Sequence, residues 1–330
     1  MNWRSGKIFM PVPFRRKAMQ ALCVVVCVLA LSACRNEQVG APAKAGKLRV
    51  VTSLFPLYDF AGTIAGNRAE VTLLMPPGVE PHSFEPKPDD IVRISKAALF
   101  VYTNPAMEPW AAKIIQSIDQ SGLKVVEGGK GARYQSVAGV DGHGDHDHLH
   151  AGGMDPHIWL DFVNDQLMVD NILAGFVAVD PANSDYYRAN ASALKKQLME
   201  LDKRYSEGLA SCSSRDLLHG GHYTFGYLAQ RYGLRYRALS GVSTESEPSA
   251  ARMTAMIRSI KQAGVHYLFA EELLSPRLTE TLAAEAGVQV IKLHGAHNLS
   301  RDDFQGGVTF IKLMDTNLSN LQKGLECRAK

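Results

Sequence analysis

Residues 183–212 read NSDYYRANASALKKQLMELDKRYSEGLASC, with no proline and no glycine before Gly208. Good helix formers dominate, and apolar residues recur at helical spacing. The spacing predicts one long amphipathic helix, assigned to 181–212. Such a rod restricts what the remaining chain can be. It reads as a connector joining two bodies, and it limits their relative motion more than a Gly/Ser hinge would.

The flanking segments fit two bodies. Before the rod, LRVVTSL is an apolar run rich in β-branched residues, FPLYDFAGTIAG is helical and stops at Gly66, and AEVTLLM is a second strand ended by Pro76-Pro77-Gly78. PDDIVRISKA (helix), ALFVYT (strand), PAMEPWAAKIIQSIDQSG (helix) and LKVVEG (strand) continue the alternation. After the rod the scheme repeats: RDLLHG, HYTFGYLAQRYG, LRYRALS, PSAARMTAMIRSIKQAG, VHYLFAE, SPRLTETLAAEAG and VQVIKLH. Strand and helix in turn indicate parallel sheets. The expected fold is α/β: two (β/α) lobes, each a mostly parallel sheet flanked by helices. The N-terminal lobe spans 47–180 and the C-terminal lobe 213–330.

The first 33 residues differ in kind. They hold Arg4, Lys7, Arg15, Arg16 and Lys17, no acid, and the short apolar run ALCVVVCVLALSA. This pattern is that of a secretory signal peptide, too short for a comfortable membrane span. Leu31-Ser32-Ala33-Cys34 resembles the bacterial lipobox, which implies cleavage before Cys34 and lipidation of its thiol. Residues 34–46 are small and polar, as in a flexible tether. Removing the five leader cations takes the formal charge from +3 to −2, which gives no electrostatic case for nucleic-acid binding. An exported chain meets an oxidising compartment, so Cys212 and Cys327 are expected to pair as a disulfide, two free thiols being the alternative.

Four single histidines stand out against this layout. His82 follows the strand 69–75, His157 sits in MDPHIWLDF at a turn into a helix, His222 lies where a strand meets a helix, and His294 ends the strand VQVIKL. Ligands of open parallel sheets bind beyond the carboxyl ends of the strands. Two of the four come from each half, so they can converge in the cleft between lobes. Three or four imidazoles suit Zn²⁺, Cu²⁺ or Ni²⁺, whereas Mn²⁺ prefers more carboxylate oxygen. Glu80, Asp155 and Asp161 are placed to hold the second ring nitrogens, and Glu80 is an alternative ligand. His297 and Glu247 are weaker candidates, and His219 and His266 read as structural residues.

Several of these stretches, in order, resemble one family: FPLYDFAGTIAG, PPGVEPHSFEPKPDDI, DPHIWLD, HYTFGYLAQRYGL, SEPSAARM and FAEELLSPRLTETLAAEAGV. They look like the zinc/manganese-type (cluster A-I, zinc-uptake-like) periplasmic metal-binding proteins of bacterial ABC transporters. The resemblance covers about 47–320. It implies two lobes joined by one long helix, with metal between them and three ligands carried onto His82, His157 and His222. A histidine rather than glutamate at the third position points to Zn²⁺ over Mn²⁺. The family's fourth ligand, usually Asp, falls on the strand end occupied here by His294, so a four-histidine site is expected. The implied partners are a membrane ABC permease with its cytoplasmic ATPase and, through the lipid, a membrane. The implied place is the periplasm or cell surface, and the chain is expected to act as a monomer.

The most conspicuous metal-like stretch is a different one. DGHGDHDHLH, residues 141–150, carries His143, His146, His148 and His150. It has nothing to pack, so it is expected to bind Zn²⁺ weakly and gather it, not to build the tight site. Similar runs precede the DPHxW segment in zinc-type relatives. Two other readings stand beside transport. A zinc hydrolase lacks support, since neither HExxH nor G-x-S-x-G occurs. A metal-dependent adhesin is compatible with the resemblance.

Overall fold

The computed structural model describes residues 47–137, 153–242, 248–271 and 277–328. The leader with Cys34, the tether, the histidine run (His143, His146, His148, His150) and Glu247 lie outside them. Each half builds a four-stranded sheet. In the first, β1 (Leu48–Thr52), β2 (Ala69–Leu73), β3 (Leu99–Tyr102) and β4 (Lys124–Glu127) pair in the order β2-β1-β3-β4, all parallel. In the second, β5 (Asp216–His219), β6 (Arg235–Ala238), β7 (Tyr267–Ala270) and β8 (Gln289–Lys292) repeat the order as β6-β5-β7-β8, again parallel. The strand order reverses between β1 and β3 and between β5 and β7. In open parallel sheets a ligand crevice forms at such a point, outside the carboxyl ends of the strands.

Helices α1 (Phe55–Ala65), α2 (Pro88–Ser95) and α3 (Pro109–Ser117) alternate with the first four strands. Each carries proline in its first turn, where the missing N–H costs nothing. Gly66 ends α1 at φ 52°, a left-handed position that glycine adopts freely. The helices α6 (Gly226–Arg231), α7 (Ala250–Ala263) and α8 (Arg277–Ala286) play the same part in the second half. Two of the expected helices are shorter than their sequence pattern. Before α3, the Asn104 side chain accepts from the Ala106 and Met107 N–H groups and holds a turn instead. Before α6, the backbone is drawn to other partners, Tyr223 N–H donating to Gly241 O.

The central helices pack the halves together. α4 (Phe162–Val179) follows a short 3₁₀ turn at Ile158–Leu160, and α5 (Ser184–Gly208) is the long rod, 25 residues. Tyr187, Ala191, Leu194, Leu198, Leu201 and Tyr205 are buried along it, at steps of three and four, so one stripe faces inward for its whole length. Burying each leucine contributes about 1.5–3 kcal/mol. The stripe meets α4 and α1 and also α10 (Phe310–Gly324), which follows α9 (Arg301–Gln305). These last two helices had no counterpart in the sequence pattern. Tyr205 Oη donates to Met314 O at 2.7 Å, anchoring rod to α10. One apolar core therefore runs from β1 and α1 through the rod to α10. Cys212 and Cys327 are joined by a disulfide with a sequence separation of 115 residues. Closing a loop of that length is worth roughly 4–5 kcal/mol on chain-entropy grounds.

One half-buried acid makes this frame pH-sensitive. The Asp59 carboxylate in α1 accepts from the Phe310 N–H at 3.1 Å, and burial raises its pKa to about 6. Between about pH 4 and 6 the unfolded chain is ionised here while the folded chain keeps the proton. Stability is therefore lost as pH rises through that window. Asp59→Asn keeps an acceptor and removes the charge. It is expected to raise stability by about 1–3 kcal/mol at pH 7 and to leave it unchanged near pH 4. Chemical denaturation at the two pH values checks this, and an equal effect at both would refute the assignment.

Candidate metal centre

Three imidazoles meet in the crevice. His82 Nε2 lies 3.2 Å from His157 Nε2, and His222 Nε2 lies 3.3 Å from the same atom. Two Zn–N bonds of about 2.0–2.1 Å at the tetrahedral angle would hold their nitrogens about 3.3 Å apart. His82 is half-buried on the loop after β2, while His157 and His222 are fully buried.

Two of the rings are oriented in the same way. His157 Nδ1 is 2.7 Å from Asp155 Oδ1, and His222 Nδ1 is 2.7 Å from Glu271 Oε2. A carboxylate on Nδ1 draws the proton there and leaves the Nε2 lone pair facing the cluster; on His222 that nitrogen also lies 2.8 Å from Thr224 Oγ1. Burial pushes the His157 pKa down to about 4, against the upward pull of Asp155, so the ring is neutral at physiological pH. Burial alone would raise Glu271, but the neighbouring His222 and His297 hold it well below the usual carboxylate range. Lone pairs aimed at one another at 3.3 Å repel unless a cation lies between them. An anionic carboxylate on the far side of the ring favours that cation.

The local sequence explains how each donor gets there. His222 follows Gly220-Gly221 beyond β5, and a Cβ on Gly221 would lie 2.5 Å from Glu271 Oε2. Only glycine lets the backbone pass the carboxylate that orients the next residue's ring. His157 precedes the 3₁₀ turn. Asn104 Nδ2 donates to Pro156 O at 3.1 Å, and Tyr227 Oη donates to Asp155 O at 2.8 Å. The segment Asp155–His157 is thus gripped from both halves.

The fourth member of the cluster is His297. The four rings of His82, His157, His222 and His297 lie within 6.3 Å of one another in all six pairings. His297 Nε2 is 3.5 Å from Glu271 Oε1. Two donor groups of metal-binding size result, His82–His157–His222 and His222–Glu271–His297, sharing His222.

His294 belongs to neither group. Its Nδ1 accepts from the Ala296 N–H at 2.9 Å and braces the turn that follows β8. Ala296 takes φ 59°, a left-handed conformation uncommon for a residue with a side chain. The turn swings the chain so that the residue three positions later reaches the cluster. Gly295 leaves space for it, since a Cβ there would meet the His297 ring at 2.5 Å.

The other candidates fall elsewhere. Glu80 Oε2 accepts from the Ser83 N–H at 3.1 Å within its own loop. Asp161 caps α4 by accepting from the Val163 N–H at 3.0 Å and pairs with Arg231 at 3.3 Å. His219 is buried with Nδ1 3.1 Å from His222 O, and His266 is exposed beside Glu326. Glu271 was not among the candidates. Its signal was its place at the end of VHYLFAE, the carboxyl end of β7, beside the switch point.

Comparison with known proteins bears on the family and the fold. Residues 50–324 match the family described as ZnuA, zinc-uptake complex component A periplasmic. The high-affinity zinc uptake system protein ZnuA of Bacillus subtilis is 35% identical over 306 residues, 92% of this chain and 96% of that protein. The zinc-binding lipoprotein AdcA of Streptococcus pneumoniae is 35% identical over 310 residues, 93% of this chain; the match spans only 61% of AdcA's length. The Zn(II)-bound ZnuA-like domain of that AdcA superposes with a TM-score of 0.72 at 33% identity, covering 85% of this chain and 100% of the domain. The laminin-binding protein Lmb of Streptococcus agalactiae, described as bifunctional with adhesin and metal transporting activity, reaches 0.74 at 29% identity, over 84% of this chain and 99% of Lmb. Shared sequence over nearly the whole folded part, and the shared two-sheet architecture, establish that this chain belongs to the ZnuA family.

Proposed function

We propose that this protein captures Zn²⁺ outside the cytoplasm and delivers it to a membrane ABC permease for import, without performing chemistry on it. The observation that carries the reading is the meeting of three Nε2 atoms at 3.2 and 3.3 Å, two of them on rings held by carboxylates through Nδ1. Imidazole donors in a buried crevice suit Zn²⁺ and give Mn²⁺ or Mg²⁺ too little oxygen. His82, His157 and His222 form the core of the site, His297 supplies the fourth donor, and Asp155 and Glu271 orient the rings. His294 takes a structural part as the brace of the turn. Export, a lipid on Cys34 and action as a monomer complete the reading; the lipoprotein relatives support the first two.

Competition titration of the mature protein with a chromophoric chelator tests the site. His157→Ala is expected to weaken Zn²⁺ binding at least about 100-fold, and Asp155→Asn about 10–100-fold, the usual cost of losing a partner behind a ligand. His297→Ala should cost far more than His294→Ala; the reverse order would return the fourth position to His294. Tight binding of Mn²⁺ in preference to Zn²⁺ would overturn the cargo.

The histidine-rich run is proposed as an accessory that gathers zinc. Deleting residues 141–150 should leave one tight equivalent in calorimetric titration and remove only weak ones. Loss of the tight equivalent would make the run part of the main site.

A further inference from the structure

The segment after β8 does more than bring in His297. It is sewn to the N-terminal half at each residue from 295 to 299 except Ala296. Trp159 Nε1 donates to Gly295 O at 2.7 Å, Phe55 N–H to His297 O at 3.3 Å, and Gly78 N–H to Leu299 O at 2.7 Å. Asn298 makes the most selective contact. Its side chain is buried, and its two Nδ2 protons go to Pro76 O at 2.9 Å and Val79 O at 2.8 Å. Its Oδ1 accepts from the Leu299 N–H at 2.8 Å, which fixes the amide's orientation.

Pro76–Val79 is the turn that leads to His82. This loop has no helix or strand between β2 and α2, and His82 is the one donor of the triad that is not fully buried. The other two are gripped by packed elements, and the rod between the halves is buried along one face and has no interior break. The His82 loop is therefore the part of the site that can yield at the least cost to the core. A carboxamide suits the clamp, because it offers two donors to two backbone carbonyls in one plane; a carboxylate of the same shape offers none.

We propose that Asn298 is a positioning residue that latches the His82 loop shut over the cargo and so sets the rate at which zinc leaves. The proposal rests on the zinc-binding reading above and goes beyond its ligand set. Asn298 touches no donor atom; it acts through the turn that carries one.

The test is the rate of Zn²⁺ transfer from the loaded, mature protein to excess chelator, followed by stopped-flow. The variants are Asn298→Ala, His82→Ala and the double variant. Asn298→Ala is expected to speed release by about tenfold or more, as two lost hydrogen bonds imply. In the His82→Ala background the same change is expected to have little effect, because the loop then carries no ligand. A general loosening of the fold would speed release by the same factor in both backgrounds and would overturn the latch, as would an unchanged rate. Asn298→Ser, too short to span both carbonyls, carries the test should the alanine chain fail to fold. A wild-type chain that holds no zinc brings down the site and the latch together. A wild-type chain that holds zinc, with Asn298→Ala releasing no faster, brings down the latch alone.

Discussion

Two carboxylate–imidazole contacts govern the crevice: Asp155 on His157 and Glu271 on His222, each at 2.7 Å. Each draws the ring proton to Nδ1 and turns the Nε2 lone pair toward its counterpart 3.3 Å away, with Thr224 Oγ1 2.8 Å from the Nε2 of His222. Without these carboxylates either ring could turn its N–H inward, and the two nitrogens would satisfy one another as an ordinary hydrogen bond. With them, two lone pairs face each other in a buried space, and a cation relieves the repulsion. One pair comes from each half of the chain, so the donor set exists only because the halves are packed together.

That packing is apolar in its frame and directional at the crevice. The rod α5 buries a single stripe along its length and joins a core continuous from β1 to α10. Around the crevice itself the halves are held by directional contacts: Trp159 to Gly295, Asn298 to Pro76 and Val79, Tyr227 to Asp155. Apolar burial makes the frame, and a few hydrogen bonds decide how the donor-bearing loops lie within it. This division suits the zinc-capture role proposed above. The frame can stay as it is while a loop such as that of His82 yields.

The five residues His294–Asn298 show how one short turn combines these tasks. His294 braces it, Gly295 makes room, Ala296 supplies the left-handed bend, His297 enters the cluster and Asn298 holds the opposite loop. Each residue type answers a separate physical demand: an acceptor for a backbone N–H, the absence of a Cβ, a small side chain at positive φ, an imidazole, and an amide with two donors.

Much of this was legible beforehand. The alternation of strand and helix, the unbroken rod, the strand ends that carry His82 and His222, and the preference for imidazole over carboxylate donors are all local or periodic properties of the chain. Lone histidines at strand ends could be placed near the crevice because sheet topology puts every such end on one edge. The choice between His294 and His297 was not legible. Both lie beyond the same strand, and the direction of a side chain past a strand end depends on the bend at Ala296 and on hydrogen bonds to residues more than a hundred positions away. Glu271 was hidden for a related reason: a single carboxylate at the end of β7 carries no pattern until the fold sets it against His222. Read alone, the chain specifies the kind of donors and the frame that presents them. Which of those donors meet is settled by long-range contacts, which exist only once the two halves have packed.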